Sequence, residues 1–170
     1  MFFPFWLATL LFFLVSRVYG CVVESGFFNL TTARTFYSLS PDNESGKKIV
    51  LIHGLGGDYS AFDTWVCLFS LQQYQVLTYD LLGHGLTEWR LSGLYTQERY
   101  VTQLNELLRV LGWLRPNNEP VYKLVLLGTS MGGMIASKYA MTYPDHLSAL
   151  IMISPCLLYT SPSPRDRQKS

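Results

Sequence analysis

Ser130 stands in the run Gly128-Thr129-Ser130-Met131-Gly132, which has the form G-x-S-x-G. A serine held on a sharp turn between a strand and a helix can attack an acyl carbon as a nucleophile. Glycines suit positions 128 and 132 because a Cβ at either place would clash as strand and helix close together. Glycine and serine also form ordinary turns, so a turn serine is the alternative that the surrounding elements must exclude.

The neighbouring sequence supplies the elements that such a turn requires. The apolar run 122–127 predicts a buried strand before Ser130, and residues 131–143 predict the helix after it. A second glycine-rich stretch, HGLGG at 53–57, directly follows the β-branched run 49–52, which also predicts a strand. Both glycine-rich loops therefore follow predicted buried strands.

The remaining pattern predicts alternating strands and helices. Continuous apolar strands joined by helical crossovers require a parallel sheet that is covered on both faces. Thr96 is the predicted N-cap of the longest helix, and Gly112 is its predicted end. The further expected elements are a helix at 62–72, a strand at 74–79, a helix at 97–111 and a strand at 147–153.

Three motifs, taken in order, carry a family resemblance. With HGLGG at 53–57, DLLGHG at 80–85 and GTSMGG at 128–133, residues 36–155 resemble the α/β-hydrolase family. The resemblance implies the α/β-hydrolase fold, with a mostly parallel, doubly wound sheet. In this chain the fold is expected to be truncated after the strand that follows the nucleophile-elbow helix.

The resemblance also implies roles for individual residues. Ser130 is the expected nucleophile, which forms an acyl-enzyme that water later releases. The backbone N–H groups of Leu55 and Met131 are the expected oxyanion-hole donors, because fixed N–H groups stabilise the charge of a tetrahedral intermediate. A serine at this position argues against the epoxide hydrolases and haloalkane dehalogenases, which attack through a carboxylate. The supporting glycines are expected at Gly54, Gly56, Gly128 and Gly132.

The resemblance implies that the catalytic acid and histidine follow strands that lie beyond residue 155. We therefore expect the fragment to be inactive and poorly stable alone, and its parent protein to be an enzyme. The expected activity is that of a serine carboxylic-ester hydrolase, esterase- or lipase-like, acting on a small-molecule ester or lipid-like substrate. The alternatives are a carbon–carbon bond hydrolase of the same fold and a non-catalytic binding protein built on it.

The other polar candidates are expected to be structural. His53 and His84 adjoin glycines after predicted strands, where hydrogen bonding to the loops is the expected role. Asp80 is expected to organise the loop in which it lies. His146 adjoins Asp145 in a turn, and both are expected at the surface. No spacing among these groups predicts a metal site, and no cofactor is expected.

Length and composition fit one domain at most, because the chain has 170 residues, 49% of them hydrophobic and 15% charged. Its formal net charge of +1 gives no electrostatic case for a nucleic-acid partner. The oligomeric state is left open.

The domain is expected over 21–155, since residues 156–166 resemble a translated sequencing adapter. The tail 156–170 is therefore predicted to be non-native, the alternative being a genuine Ser/Pro-rich tail.

The beginning of the chain predicts export. Residues 1–20 contain a continuous apolar stretch that ends near a small residue, typical of a signal peptide, with an uncleaved membrane anchor as the alternative. Residues 18–21 also resemble, more faintly, a bacterial lipoprotein motif. Two N-x-S/T sequons make Asn29 and Asn43 candidate glycosylation sites. A secreted or lumenal glycoprotein is the expected outcome, in which Cys21 and Cys67 could pair.

Overall fold

The computed structural model describes residues 23–89 and 95–155. The predictions on the leader 1–20, on Cys21 and on the tail 156–170 lie outside the described residues. No helix within the described ranges is both long enough and apolar enough to cross a bilayer.

A single mixed sheet organises the described residues. Its six strands lie in the order β1-β2-β4-β3-β5-β6. Strands β3, β4, β5 and β6 run parallel, whereas β1 and β2 form an antiparallel hairpin that pairs with β4. The strands are β1 Glu24–Asn29, β2 Arg34–Leu39, β3 Lys48–Ile52, β4 Gln75–Tyr79, β5 Leu124–Thr129 and β6 Leu147–Ile153.

Three α-helices cover the sheet: α1 Asp63–Leu71, α2 Gln97–Val110 and α3 Met131–Thr142. Thr96 caps α2 as predicted, because its hydroxyl accepts a hydrogen bond from the Arg99 N–H. The chain leaves α2 at Gly112, which adopts a φ of 71° that favours glycine. The predicted fold class, with its parallel strands joined by helices, is confirmed.

The core lies on both faces of the sheet. Val50 and Ile52 of β3 face the layer formed by α2 and α3, whereas Ile49 and Leu51 face α1. All four side chains are buried, which explains why β3 is a continuous apolar run rather than an alternating one. At the far edge, β6 exposes apolar side chains, among them Ile151, Met152 and Ile153.

The β1–β2 hairpin was not predicted from the sequence. Its strands read ESGFFN and RTFYSL, which mix polar and aromatic residues and lack a long apolar run. Aromatic contacts across the hairpin stabilise it instead: the rings of Phe28 and Tyr37 stack at 4.4 Å, and those of Phe27 and Phe36 meet edge-on at 5.1 Å. The parallel sheet therefore has an antiparallel edge.

A buried glutamine connects this edge to the helical layer. Gln103 of α2 donates to the Thr35 hydroxyl at 3.0 Å and to the Asp80 carbonyl at 3.1 Å. Its side-chain oxygen accepts from the Leu82 N–H at 3.1 Å. Because every polar atom of this side chain has a partner, its burial carries little penalty.

The expectation that His146 lies at the surface is wrong. Its imidazole is buried, and Nδ1 lies 2.8 Å from the Tyr139 hydroxyl. Nε2 lies 2.8 Å from the Asn118 carbonyl, so this nitrogen carries the proton and Nδ1 accepts. Asp145, its neighbour, is exposed as expected. The short turn Pro144–His146 folds back onto α3, a tertiary contact that local turn signals do not reveal.

Burial lowers the pKa of His146 below its ordinary value of 6.5. Below about pH 6.5 the unfolded chain therefore takes up a proton that the folded chain resists, and the stabilising contribution of His146 is lost as the pH falls. We expect the free energy of unfolding, measured in urea, to decrease from about pH 7.5 to about pH 5.5. The variant His146→Gln should show a shallower decrease, and equal slopes in the two proteins would contradict this account.

Candidate active site

Ser130 occupies the sharp turn between β5 and α3, as the sequence predicts. Its φ of 51° and ψ of −118° lie in a region that a non-glycine residue seldom adopts. The Ser130 N–H donates to the Ile153 carbonyl at 3.0 Å, which fixes the turn to the end of β6. The residue is exposed. Surrounding contacts thus hold a strained serine where an incoming molecule can reach it.

The glycines on either side of Ser130 are required by close backbone approach. A Cβ on Gly132 would overlap the carbonyls of Ile52 and His53, and one on Gly128 would overlap the backbone of Gly132 itself. Neither position can therefore accept a side chain without a backbone shift. The steric clash that the sequence analysis predicts at Gly128 and Gly132 is therefore present in the structure.

The pairing of β3 with β5 brings the HGLGG loop to Ser130. Ile52, the last residue of β3, lies opposite Gly128 in the register of the two strands. A Cβ on Gly54 would lie 3.1 Å from the Ser130 Cβ and 3.7 Å from its Oγ. Two motifs far apart in the sequence therefore meet at the same edge of the sheet.

Two backbone N–H groups at this junction are unpaired within the described residues. Met131 begins α3, so its N–H has no acceptor inside the helix. The Leu55 N–H likewise donates no hydrogen bond to a described residue, although Gly57 closes a turn onto the Gly54 carbonyl at 3.1 Å. Gly56 has a φ of 73°, which this turn requires. Unpaired N–H groups of this kind can bind an oxyanion.

His53 holds the loop and is not available as a base. Its Nε2 accepts from the Leu81 N–H at 3.1 Å, and its Nδ1 donates to the Gly54 carbonyl at 2.8 Å. The partners assign the neutral tautomer with the proton on Nδ1. Burial lowers the pKa of His53, which favours this neutral form. The expectation of a structural role agrees with these contacts.

Asp80 organises the DLLGHG loop, in agreement with its expected role. Its buried carboxylate accepts from the N–H groups of Tyr59 and Leu86, both at 2.7 Å. Gly85 passes so close that a Cβ there would overlap the carboxylate. Burial raises the pKa of Asp80, although the two N–H donors act in the opposite direction.

Ser130 has no basic partner in the part of the chain that the structure describes. No side chain between 23 and 89 or between 95 and 155 makes a hydrogen bond to its Oγ. His84 instead lies with Nδ1 3.0 Å from the Leu82 carbonyl, and its ring centroid is 5.3 Å from that of His53. No group of His, Cys, Asp and Glu within these ranges could hold a metal ion.

Four exposed hydrophobic side chains form an apolar rim at this edge of the sheet, which the sequence analysis did not predict. The clearest signal in the sequence is the presence of Leu86 and Trp89 within a polar loop. Trp89 and Tyr95 both approach Gly83, where a Cβ would lie 3.1 Å from the Trp89 Cδ1. The members of this apolar rim are Leu55, Leu86, Trp89 and Tyr95.

We expect Gly132→Ala to destabilise the protein by about 3 kcal/mol, because the new methyl group must displace the end of β3. In an ordinary helix the same change would be stabilising. The matched control is Gly112→Ala, where the space is open and only the positive φ is unfavourable, at a cost of about 1 kcal/mol. Urea unfolding of both variants measures the difference, and a neutral or stabilised Gly132→Ala would refute the close approach.

The chain is similar in sequence to known proteins of bacterial origin. Lipase 3 of Moraxella sp. (strain TA144) is 30% identical over 125 residues, which cover 74% of this chain and 37% of that lipase. A Bacillus subtilis (strain 168) protein assigned as a 2-succinyl-6-hydroxy-2,4-cyclohexadiene-1-carboxylate synthase is 34% identical over 113 residues, covering 65% of this chain and 37% of the relative. The chain thus spans little more than a third of the length of either relative.

The solved structures agree on the fold. A CIB-like hydrolase from Thermoplasma acidophilum superposes with a TM-score of 0.69 at 21% identity, over 80% of this chain and 64% of that one. Residues 43–169 match the family model Hydrolase_4, described as serine aminopeptidase, S33. Because this match covers most of the chain, the protein belongs to the serine aminopeptidase S33 family of α/β hydrolases.

Proposed function

We propose that the whole protein carrying this chain is a serine hydrolase that cleaves carboxylic esters through an acyl-enzyme. The observation that carries the proposal is Ser130, exposed at a strained strand-to-helix turn beside the HGLGG loop. Membership of a hydrolase family and similarity to a named lipase support it. The proposal concerns the whole protein because the chain spans 37% of the relatives' length.

In the proposed reaction the Ser130 Oγ attacks the ester carbonyl carbon and gives its proton to a general base. The carbonyl oxygen then becomes negatively charged, and the N–H groups of Leu55 and Met131 bind it. Collapse of the tetrahedral intermediate breaks the bond to the alcohol, which takes up the proton from the base, and leaves an acyl group on Ser130. Water then attacks the acyl-enzyme and releases the acid.

The general base is proposed to come from sequence that follows residue 155 in the whole protein. Both ring nitrogens of His53 and of His146 are engaged, which leaves neither of them for Ser130. A serine without a histidine loses most of its nucleophilic advantage. The chain alone should therefore position Ser130 and the HGLGG loop but should not complete the reaction, because it lacks the general base.

The substrate is proposed to be a small-molecule ester with an apolar, lipid-like part. The apolar rim places four exposed hydrophobic side chains at the edge of the sheet that carries Ser130. Burial of this surface by an acyl chain would contribute favourable free energy in proportion to its apolar area. The family description names a peptidase, whose acyl-enzyme chemistry is the same, so amide substrates must be tested beside esters.

We expect a fluorophosphonate probe to label the whole protein, and the label to be lost in Ser130→Ala. Peptide mass spectrometry should place the probe on Ser130 in the wild type. Ser148→Ala, which alters an exposed serine on β6, is the matched control and should keep full labelling.

Hydrolysis of p-nitrophenyl esters of increasing chain length, compared with aminoacyl amides, then tests the substrate class. Faster turnover of the amides would contradict the ester proposal. Absence of labelling in a protein that carries an intact acid and histidine would refute the mechanism and favour a non-catalytic binding protein.

Export through a secretory pathway with N-glycosylation is proposed separately. Asn29 is exposed at the end of β1. Asn43 lies in the loop between β2 and β3, and its side-chain oxygen accepts from the Ser45 N–H at 3.2 Å and from the Ser45 hydroxyl at 2.6 Å. Both sequons are thus in surface loops or strand ends, as glycan acceptors must be.

We expect the protein secreted from eukaryotic cells to shift in mobility after enzymatic removal of N-glycans. Asn29→Gln and Asn43→Gln should each remove one step of that shift, and the double variant should remove all of it. Asn117→Gln, which changes an exposed asparagine that lies in no sequon, serves as the control. Retention of the protein inside the cell without any glycan would contradict the proposed route.

A further inference from the structure

Cys67 lies on α1 and is disulfide-bonded. The sequence contains three cysteines, and the other two, Cys21 and Cys156, lie outside the described residues. Within one chain the partner of Cys67 is therefore Cys21 or Cys156. The positions of the described residues next to each candidate distinguish the two.

Cys67 faces a cleft that the start of the hairpin helps to form. The cleft has a volume of about 370 Å³, and Val23 and Ser25 line it together with Cys67. Val23 is two residues from Cys21, and two residues of extended chain span about 7 Å. Because the Cα atoms of a disulfide lie about 4.4–6.8 Å apart, Cys21 can reach the position that Cys67 requires.

Pro155, the residue before Cys156, lies on the opposite face of the sheet. It packs against α3: a Cβ on Gly133 would lie 3.0 Å from the Pro155 Cβ. Helix α3 covers the face that contains Val50 and Ile52, whereas α1 with Cys67 covers the other face.

Pro155 also lies at the opposite edge of the sheet. It comes after β6, and three strands separate β6 from β2, whose Ser38 lines the cleft of Cys67. At about 4.8 Å per strand this separation is about 19 Å. A bridge from Cys156 would therefore have to cross both the edge and the thickness of the sheet.

We propose that Cys21 and Cys67 form the disulfide, which fastens the entry of the edge hairpin to α1. In forming it, the two thiols lose two protons and two electrons to a disulfide-carrying oxidase, which is reduced to its dithiol. Such oxidants act in the secretory lumen and in the periplasm, so the bridge assigns the folded chain to an oxidising compartment. This inference is independent of the reaction at Ser130.

The bridge has two structural consequences. It closes a loop from 21 to 67 that contains the whole hairpin, so β1, an edge strand with one neighbour, is held at its first residues. It also occupies the Cys21 thiol, which excludes a lipid attached there through a thioether. If a signal peptidase cuts after Gly20, the mature chain begins at the bridged cysteine.

Peptide mapping without reduction tests the connectivity on the wild-type protein. After removal of N-glycans and alkylation of free thiols, trypsin places Cys21 in a peptide that ends at Arg34. It places Cys67 in residues 49–90 and Cys156 in residues 139–165. We expect the first two peptides to be linked and to separate on reduction, and the third to carry the alkyl group. Linkage of the second peptide to the third, or a lipid on Cys21, would overturn the proposal.

Two matched serine variants give a second readout. Cys156→Ser should leave no titratable thiol in the unreduced, unfolded protein, whereas Cys21→Ser should expose two. Cys21→Ser should also lower the midpoint of thermal unfolding by about 10 °C, and Cys156→Ser should leave it unchanged. The reverse pattern would identify Cys156 as the partner. Labelling of Ser130 by a fluorophosphonate is read separately, so either proposal can fail alone.

Discussion

The arrangement of the site depends on how closely the start of α3 approaches the end of β3. At Gly132 the helix backbone lies against the carbonyls of Ile52 and His53 with no room for a side chain. This approach forces the chain to turn sharply after β5, and Ser130 takes up the positive φ of that turn. It also sets the distance between the serine and the HGLGG loop. Steric exclusion at one glycine therefore fixes the positions of both motifs.

Buried polar groups keep the surrounding loops in place. His53 joins the loop after β3 to the loop after β4, and Asp80 accepts one hydrogen bond from a backbone N–H of each of these connections. Gln103 connects the same region to α2 and to the hairpin. Each group is expensive to bury, and hydrogen bonds to backbone offset that cost only in one arrangement of the loops. The conformation of the loops beside Ser130 is thus determined by hydrogen bonds to buried polar groups as well as by apolar packing.

Local patterns predicted the parts of the fold that local physics determines. The runs that became β3, β4 and β5 are mostly apolar because both faces of those strands are covered. Thr96 and Gly112 mark the ends of α2 through capping chemistry. The hairpin was missed because an edge strand needs few apolar residues, and its cross-strand ring contacts cannot be read from one strand. His146 was misjudged because its partners, Tyr139 and Asn118, lie on other elements. The apolar rim was missed for a similar reason, since it gathers residues from separate loops.

The strand order has a consequence for synthesis on the ribosome. Strand β3 lies between β4 and β5, and β5 is made only after the chain from Ile52 to Leu124 has emerged. At about 5–20 residues per second that interval lasts on the order of 4–15 s. During it, one edge of β3, which is apolar from Ile49 to Ile52, has no neighbour, and an unpaired apolar edge favours association between nascent chains. The strand at the centre of the finished sheet is thus an unpaired edge for part of the time in which the chain is being made.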